Sequence, residues 1–158
     1  MTDRADAAWV KDLIERTQYL VLATTDGESP WVAPLECMVD DDLNFYFFST
    51  PEARHSRHIE AGGQVAAVRF DSEQPEYTPS LSANLNAVQM ECSARRLDPS
   101  EYNEPVQGAI DLLQPPMPPY EVYKITPTRF YVPAIENGKH PLRSQHRLAT
   151  TAAHRCCR

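Results

Sequence analysis

Residues 19–49 read YLVLATTDGESPWVAPLECMVDDDLNFYFFS, and they set the fold class. Tyr19–Thr25 is an apolar, β-branched run with the length and composition of a buried strand. Asp26-Gly27 is a tight-turn signal. Residues 30–39 resume the apolar pattern, but Pro30 and Pro34 cannot donate to a ladder, so an edge strand or a bulge is expected there. Three aspartates at 40–42 make the next turn, and residues 44–49 form a third strand rich in phenylalanine. Strands joined by turns this short form an antiparallel meander.

On the N-terminal side, Trp9, Val10, Leu13 and Ile14 recur at helical spacing, predicting an amphipathic helix over 7–18 with Asp6 as its cap. On the C-terminal side, Thr50-Pro51-Glu52 reads as a helix start, with Thr50 as cap and Pro51 in the first turn. Gly62-Gly63 ends that helix. A fourth strand is expected at 64–70, a polar loop at 71–83 and a long fifth strand at 85–97. A partly helical stretch follows at 99–113, then a proline-rich connector at 115–119. Residues 120–126 and 129–133 are expected to form a last strand pair around a Pro127-Thr128 turn. This gives a mainly β chain with short helices and six or seven strands, a pattern that favours a small barrel. The expected organisation is an N-terminal helix (1–18), a barrel domain (19–134) and a basic tail (135–158).

Composition narrows the function classes. The chain has 158 residues, 42% of them hydrophobic and 23% charged, enough for one domain with a real core. No apolar run approaches the roughly 18 residues of a membrane span, and the acidic N-terminus is unlike a secretory signal. The net charge of −7 is uneven. Residues 139–158 hold five basic residues and no acid, which leaves 10 basic against 22 acidic residues before them. A body this acidic repels polyanions, which argues against nucleic acid as a partner. The four cysteines form no disulfide framework, so a reducing cytoplasm is expected. The histidines and cysteines of the tail fit no closed zinc pattern, so no metal is assigned.

The chemistry-bearing stretch is residues 49–59, STPEARHSRHI. Arg54, His55, Arg57 and His58 lie within five positions of an otherwise acidic body. Helical spacing puts Arg54, Arg57 and His58 on one face. Hydroxyls at Ser49 and Thr50 precede a helix start, whose unpaired amides attract anions. Together these groups suit a phosphate monoester. A solvated basic face neutralised by Glu52 and Glu60 is the alternative.

The series LATTDGESP (22–30), FYFFST (45–50), ARHSRHI (53–59), VQMECSARRL (88–97) and YEVYKITPTRF (120–130) resembles the pyridoxamine 5′-phosphate oxidase-like FMN-binding split-barrel superfamily. The resemblance covers roughly 19–132 in the family's order. It implies a six-stranded antiparallel split barrel, a homodimer, and FMN sites across the dimer interface. It places the backbone of Leu22, Ala23, Thr24 and Thr25 along the flavin, and Ser49, Thr50, Arg54 and His55 at its phosphate. Gln89 matches a position that reaches the flavin from the partner subunit.

The chain departs from the family pattern at three positions. Ala53 replaces a serine, His55 a lysine and Cys92 a glycine. The arginine-rich signature of the true pyridoxamine oxidases is absent, so that reaction is not carried over. No Ser/His/Asp or Cys/His set is apparent, and no catalytic residue is assigned. The expected function is an FMN-dependent oxidoreductase of unknown small-molecule substrate, with NAD(P)H as electron donor. The alternatives are a deazaflavin user, a non-catalytic flavin or haem binder, and a cofactor-free dimeric module.

Overall fold

The computed structural model describes residues 3–71, 87–114 and 119–132. The tail, the 115–118 connector and most of the 71–83 loop lie outside the described residues. The chain runs α1 (Asp3–Arg16), β1 (Tyr19–Thr25), β2 (Pro30–Glu36), β3 (Met38–Val39), β4 (Phe45–Ser49), α2 (Arg54–Gly62), β5 (Gln64–Phe70), β6 (Ala87–Arg96), α3 (Glu104–Leu113) and β7 (Glu121–Tyr131). All seven strands join one antiparallel sheet in the order β2-β1-β5-β6-β7-β4-β3. The sheet curls into a split barrel, with one strand more than the six expected. Of the seven segments read from the sequence, one divides into β2 and the two-residue β3, which pairs with β4 instead of β1, and the last two merge into β7.

Period-two alternation decides which side chains enter the core. Leu20 and Leu22 of β1, Val65 and Ala67 of β5, and Val88 and Met90 of β6 point inward. They meet Val10, Leu13 and Ile14 of α1, together with Phe45, Phe47, Tyr123 and Ile125. A second, smaller cluster of Tyr46, Leu97, Val106 and Val122 lies under α3. Asn103 caps α3, and Pro105 sits in its first turn, where a missing N–H costs nothing. Asp98 caps a separate 3₁₀ turn just before it.

The expected final hairpin is instead one continuous strand, β7. Pro127 stands opposite Cys92, where the β6–β7 register shifts between Glu91 and Cys92. The bulge absorbs the amide that proline lacks, so the strand does not turn. The Thr128 hydroxyl donates to the Glu91 carbonyl beside the shift (3.0 Å).

Arg69 enters the core from β5, 2% exposed. Its guanidinium donates to the carbonyls of Ile14, Thr17 and Gln18 and lies 5.2 Å from the Phe45 ring centroid. These are acceptors that the end of α1 leaves unpaired, and a cation there complements the helix dipole. Burial pulls the guanidinium below its ordinary pKa. Burial likewise pushes the Cys37 and Cys92 thiols up to about 12, so both are un-ionised at neutral pH.

Arg69→Met keeps the bulk but strands these carbonyls. The expected loss is about 2–4 kcal/mol, a fall in Tm of roughly 6–12 °C. Thermal denaturation followed by circular dichroism measures it, and an unchanged Tm would contradict this role.

Candidate functional site

The site begins where β4 ends. Ser49 is 6% exposed, the last residue of a strand packed on β7. Thr50-Pro51 then turns the chain, with the Ala53 amide donating to the Thr50 carbonyl (3.1 Å). The helix starts one turn later than expected, so Thr50 is not its cap. Ala53 holds the N-cap position and makes no side-chain cap. The first helical bond runs from Arg57 N–H to Ala53 O (3.0 Å). The first-turn amides of α2 are therefore uncapped donors at the positive end of the helix.

Three basic side chains expected on one face separate in the structure. The Arg54 guanidinium lies 4.9 Å from the centroid of Trp31, on β2, and is held near the helix start by a cation–π contact. Arg57 is exposed and donates back to the Glu52 carbonyl (2.6 Å). His58 is buried. Its Nδ1 lies 3.1 Å from Thr24 Oγ1, and its Nε2 lies 3.6 Å from Asp26 Oδ2. Asp26 also accepts from the Ser29 and Glu28 amides, which hold its carboxyl below the usual carboxylate range. This hydroxyl–imidazole–carboxylate chain has the order of a nucleophile relay. Thr24, however, is only 4% exposed, so the chain acts as a tether between α2 and the β1–β2 turn.

His55 faces the other way. Its Nε2 lies 2.8 Å from Ser49 Oγ, and Ser49 Oγ accepts from the fully buried Ser56 hydroxyl (3.0 Å). The imidazole ring tilts against Phe47, at 5.8 Å between centroids, and Phe47 stacks on Tyr123.

β1 has two sides. Thr24 faces α2, whereas Ala23 faces outward and Thr25 uses its hydroxyl to accept from Gly27 N–H. Leu22 is buried in the core. The β1–β5 register ends at Ala23↔Ala66, so Thr24 and Thr25 continue with β2 alone. The outer face carries an apolar groove of about 620 Å³ formed by Val21, Ala23, Val32, Ala66 and Val68 with Gln89. Gln89 is thus on the face opposite Ser49 and His55. Tyr19, Val32 and Phe70 extend the exposed apolar surface on this side. Tyr131 donates to Glu91 (2.5 Å) at its rim.

A sequence profile described as "Pyridoxamine 5′-phosphate oxidase" matches residues 8–132. The chain belongs to this family. No protein of curated function matches the sequence. Solved structures show the shared fold at low identity. HutZ, the heme storage protein of Vibrio cholerae, is 14% identical, with a TM-score of 0.63 over 88% of this chain and 100% of that one. An FAD-binding protein of Mesorhizobium loti is 16% identical, with a TM-score of 0.62 over 78% of this chain and 89% of that one. A protein of unknown function from Agrobacterium tumefaciens is 19% identical, with a TM-score of 0.61 over 79% of this chain. This chain spans 55% of the length of that protein.

Within this family frame the uncapped start of α2, Arg54 and His55 occupy one end of the split barrel. Ser56 and Asp26 join the site without having been read as part of it, and Trp31 joins it through Arg54. Ser56 sits inside the 49–59 stretch, where the basic residues drew the reading, and Asp26 carried no site signal because its partner His58 comes from a later helix. Tyr46 is buried, and its hydroxyl donates to Asp40. Among the described residues, no group of His, Cys, Asp and Glu could hold a metal ion. No described helix is long and apolar enough to cross a membrane.

Burial lowers the His55 pKa, and the neighbouring charge of His58 lowers it further. The unfolded chain therefore takes up a proton, as pH falls through about 6.5, that the ligand-free folded chain resists. Stability contributed by neutral His55 is thus present above that pH and lost below it. Comparing Tm at pH 7.5 and pH 5.5, His55→Gln is expected to flatten the acid-side decline relative to the parent chain. An identical decline in both would exclude the effect.

Proposed function

We propose that this chain binds FMN through its phosphate at the start of α2 and serves as a flavin-dependent oxidoreductase for a small molecule. The observation that carries this is the uncapped first turn of α2 beside a guanidinium already held there by Trp31. The donor set suits a phosphate: backbone amides, the Arg54 fork and a Thr50 hydroxyl in the adjoining turn. His55, oriented by Ser49, completes the set. The ends of Thr24 and Thr25 that leave the β5 ladder offer backbone groups to the rest of the cofactor. Bound flavin would supply hydride or electron transfer, with NAD(P)H as the donor in this proposal. The protein's part is to orient the cofactor and exclude water.

The apolar outer face supports a homodimer, since exposed apolar surface of this kind marks an interface. Gln89 serves such a site only from a second copy, because its side chain lies on the outer face of β6.

The test is an absorbance scan of the purified chain, followed by titration with FMN and with riboflavin, which lacks the phosphate. Saturable FMN binding is expected, with riboflavin weaker. Arg54→Ala should weaken FMN about 10- to 100-fold, the effect of losing a charge-assisted contact, and leave riboflavin nearly unchanged. No saturable flavin binding would overturn the proposal. A Soret band in the purified protein would replace it with haem, and neither signal would leave a cofactor-free dimer.

A further inference from the structure

The two buried-side histidines of α2 differ in one respect. His58 has a carboxylate within reach, Asp26. His55 has none: among the described residues, no carboxylate pairs with it. Its Nε2 meets only hydroxyl chemistry. Ser56 donates to Ser49 Oγ, so the Ser49 proton is free to point elsewhere. Two acceptors lie in range, His55 Nε2 at 2.8 Å and the Thr50 carbonyl at 3.4 Å.

These two acceptors match two protonation states. With neutral His55, Ser49 donates to Nε2. With protonated His55, Nε2–H donates to Ser49 Oγ, and the Ser49 hydroxyl turns to the Thr50 carbonyl. Both states keep His55 Nε2 and the Ser49 and Ser56 hydroxyls satisfied. The cluster can thus hold an imidazolium by turning one hydroxyl, and what it lacks is a counter-ion. The other basic groups of α2 are Arg54, Arg57 and His58, Glu52 lies in the turn before the helix, and Tyr123 of β7 stacks behind Phe47. β4 contributes Ser49 and Phe47. Of these groups, His58 opposes a charge on His55 until an anion arrives.

Building on the phosphate placement proposed above, we propose that His55 takes up a proton when a phosphate dianion seats at the start of α2, with Ser49 switching from donor to acceptor. Binding is then coupled to pH: the site holds the phosphate through a charge that the ligand itself induces. A lysine in this place would be charged beforehand and would show no such coupling.

The experiment is isothermal titration of the full chain with FMN at pH 7.5, in two buffers of different ionisation enthalpy. At that pH the free phosphate is already mostly a dianion. A net uptake of up to one proton per FMN is expected, lost in His55→Gln and absent with riboflavin. FMN affinity should fall roughly tenfold between pH 7 and pH 8.5, and His55→Lys should remove that fall. FMN binding with no proton uptake overturns this proposal alone. Uptake that persists in His55→Gln places the proton on the phosphate and also overturns it. An absence of FMN binding at every pH overturns the phosphate placement and this proposal with it.

Discussion

The site depends on how α2 is pinned at its middle and at its close. At the middle, His58 reaches Thr24 and Asp26, tying the helix to the end of β1 and the turn that follows. At its close, Gly63 adopts a left-handed conformation, and its carbonyl accepts from Ala94 N–H (2.6 Å) on β6. A Cβ at Gly63 would stand 3.0 Å from the Ala94 carbonyl, so the helix can approach β6 this closely only with glycine there. With its middle and its close fixed, the helix holds its uncapped first turn in place. Helix stability is drawn from packing and tethers, which leaves the first-turn amides available.

The same strand serves two faces. Leu20, Leu22 and Thr24 point towards the core and α2, while Val21 and Ala23 line the outer groove. A one-residue slip in β1 would exchange these sets and bury the wrong face. The consequence is a division: the groups proposed to bind an anion lie on one side of β1–β2, and the exposed apolar surface lies on the other. Gln89 belongs to the outer side.

Three buried polar clusters shape the site and its support. Arg69 collects the last carbonyls of α1, His58 fastens a turn through the Thr24 and Asp26 side chains, and Ser49 with Ser56 orients His55 at a helix start. Each polar group meets a partner in a region with little water.

The sequence by itself determined the strand pattern, the turns and the helix ends that depend on local chemistry. Asp26-Gly27, Gly63 and the strand at 19–25 were legible because their causes lie within a few residues. The basic stretch at 54–58 was legible as composition. What the tertiary structure decided is where each of its side chains goes. Helical spacing put Arg54, Arg57 and His58 together, but the core claimed His58 and Trp31 captured Arg54. Pro127 reads as a turn from its own neighbours, and only a bulge opposite it on β6 lets the strand continue. Pairing across the sheet is non-local. The partners of His58 and Arg69 therefore come from segments that no local pattern connects.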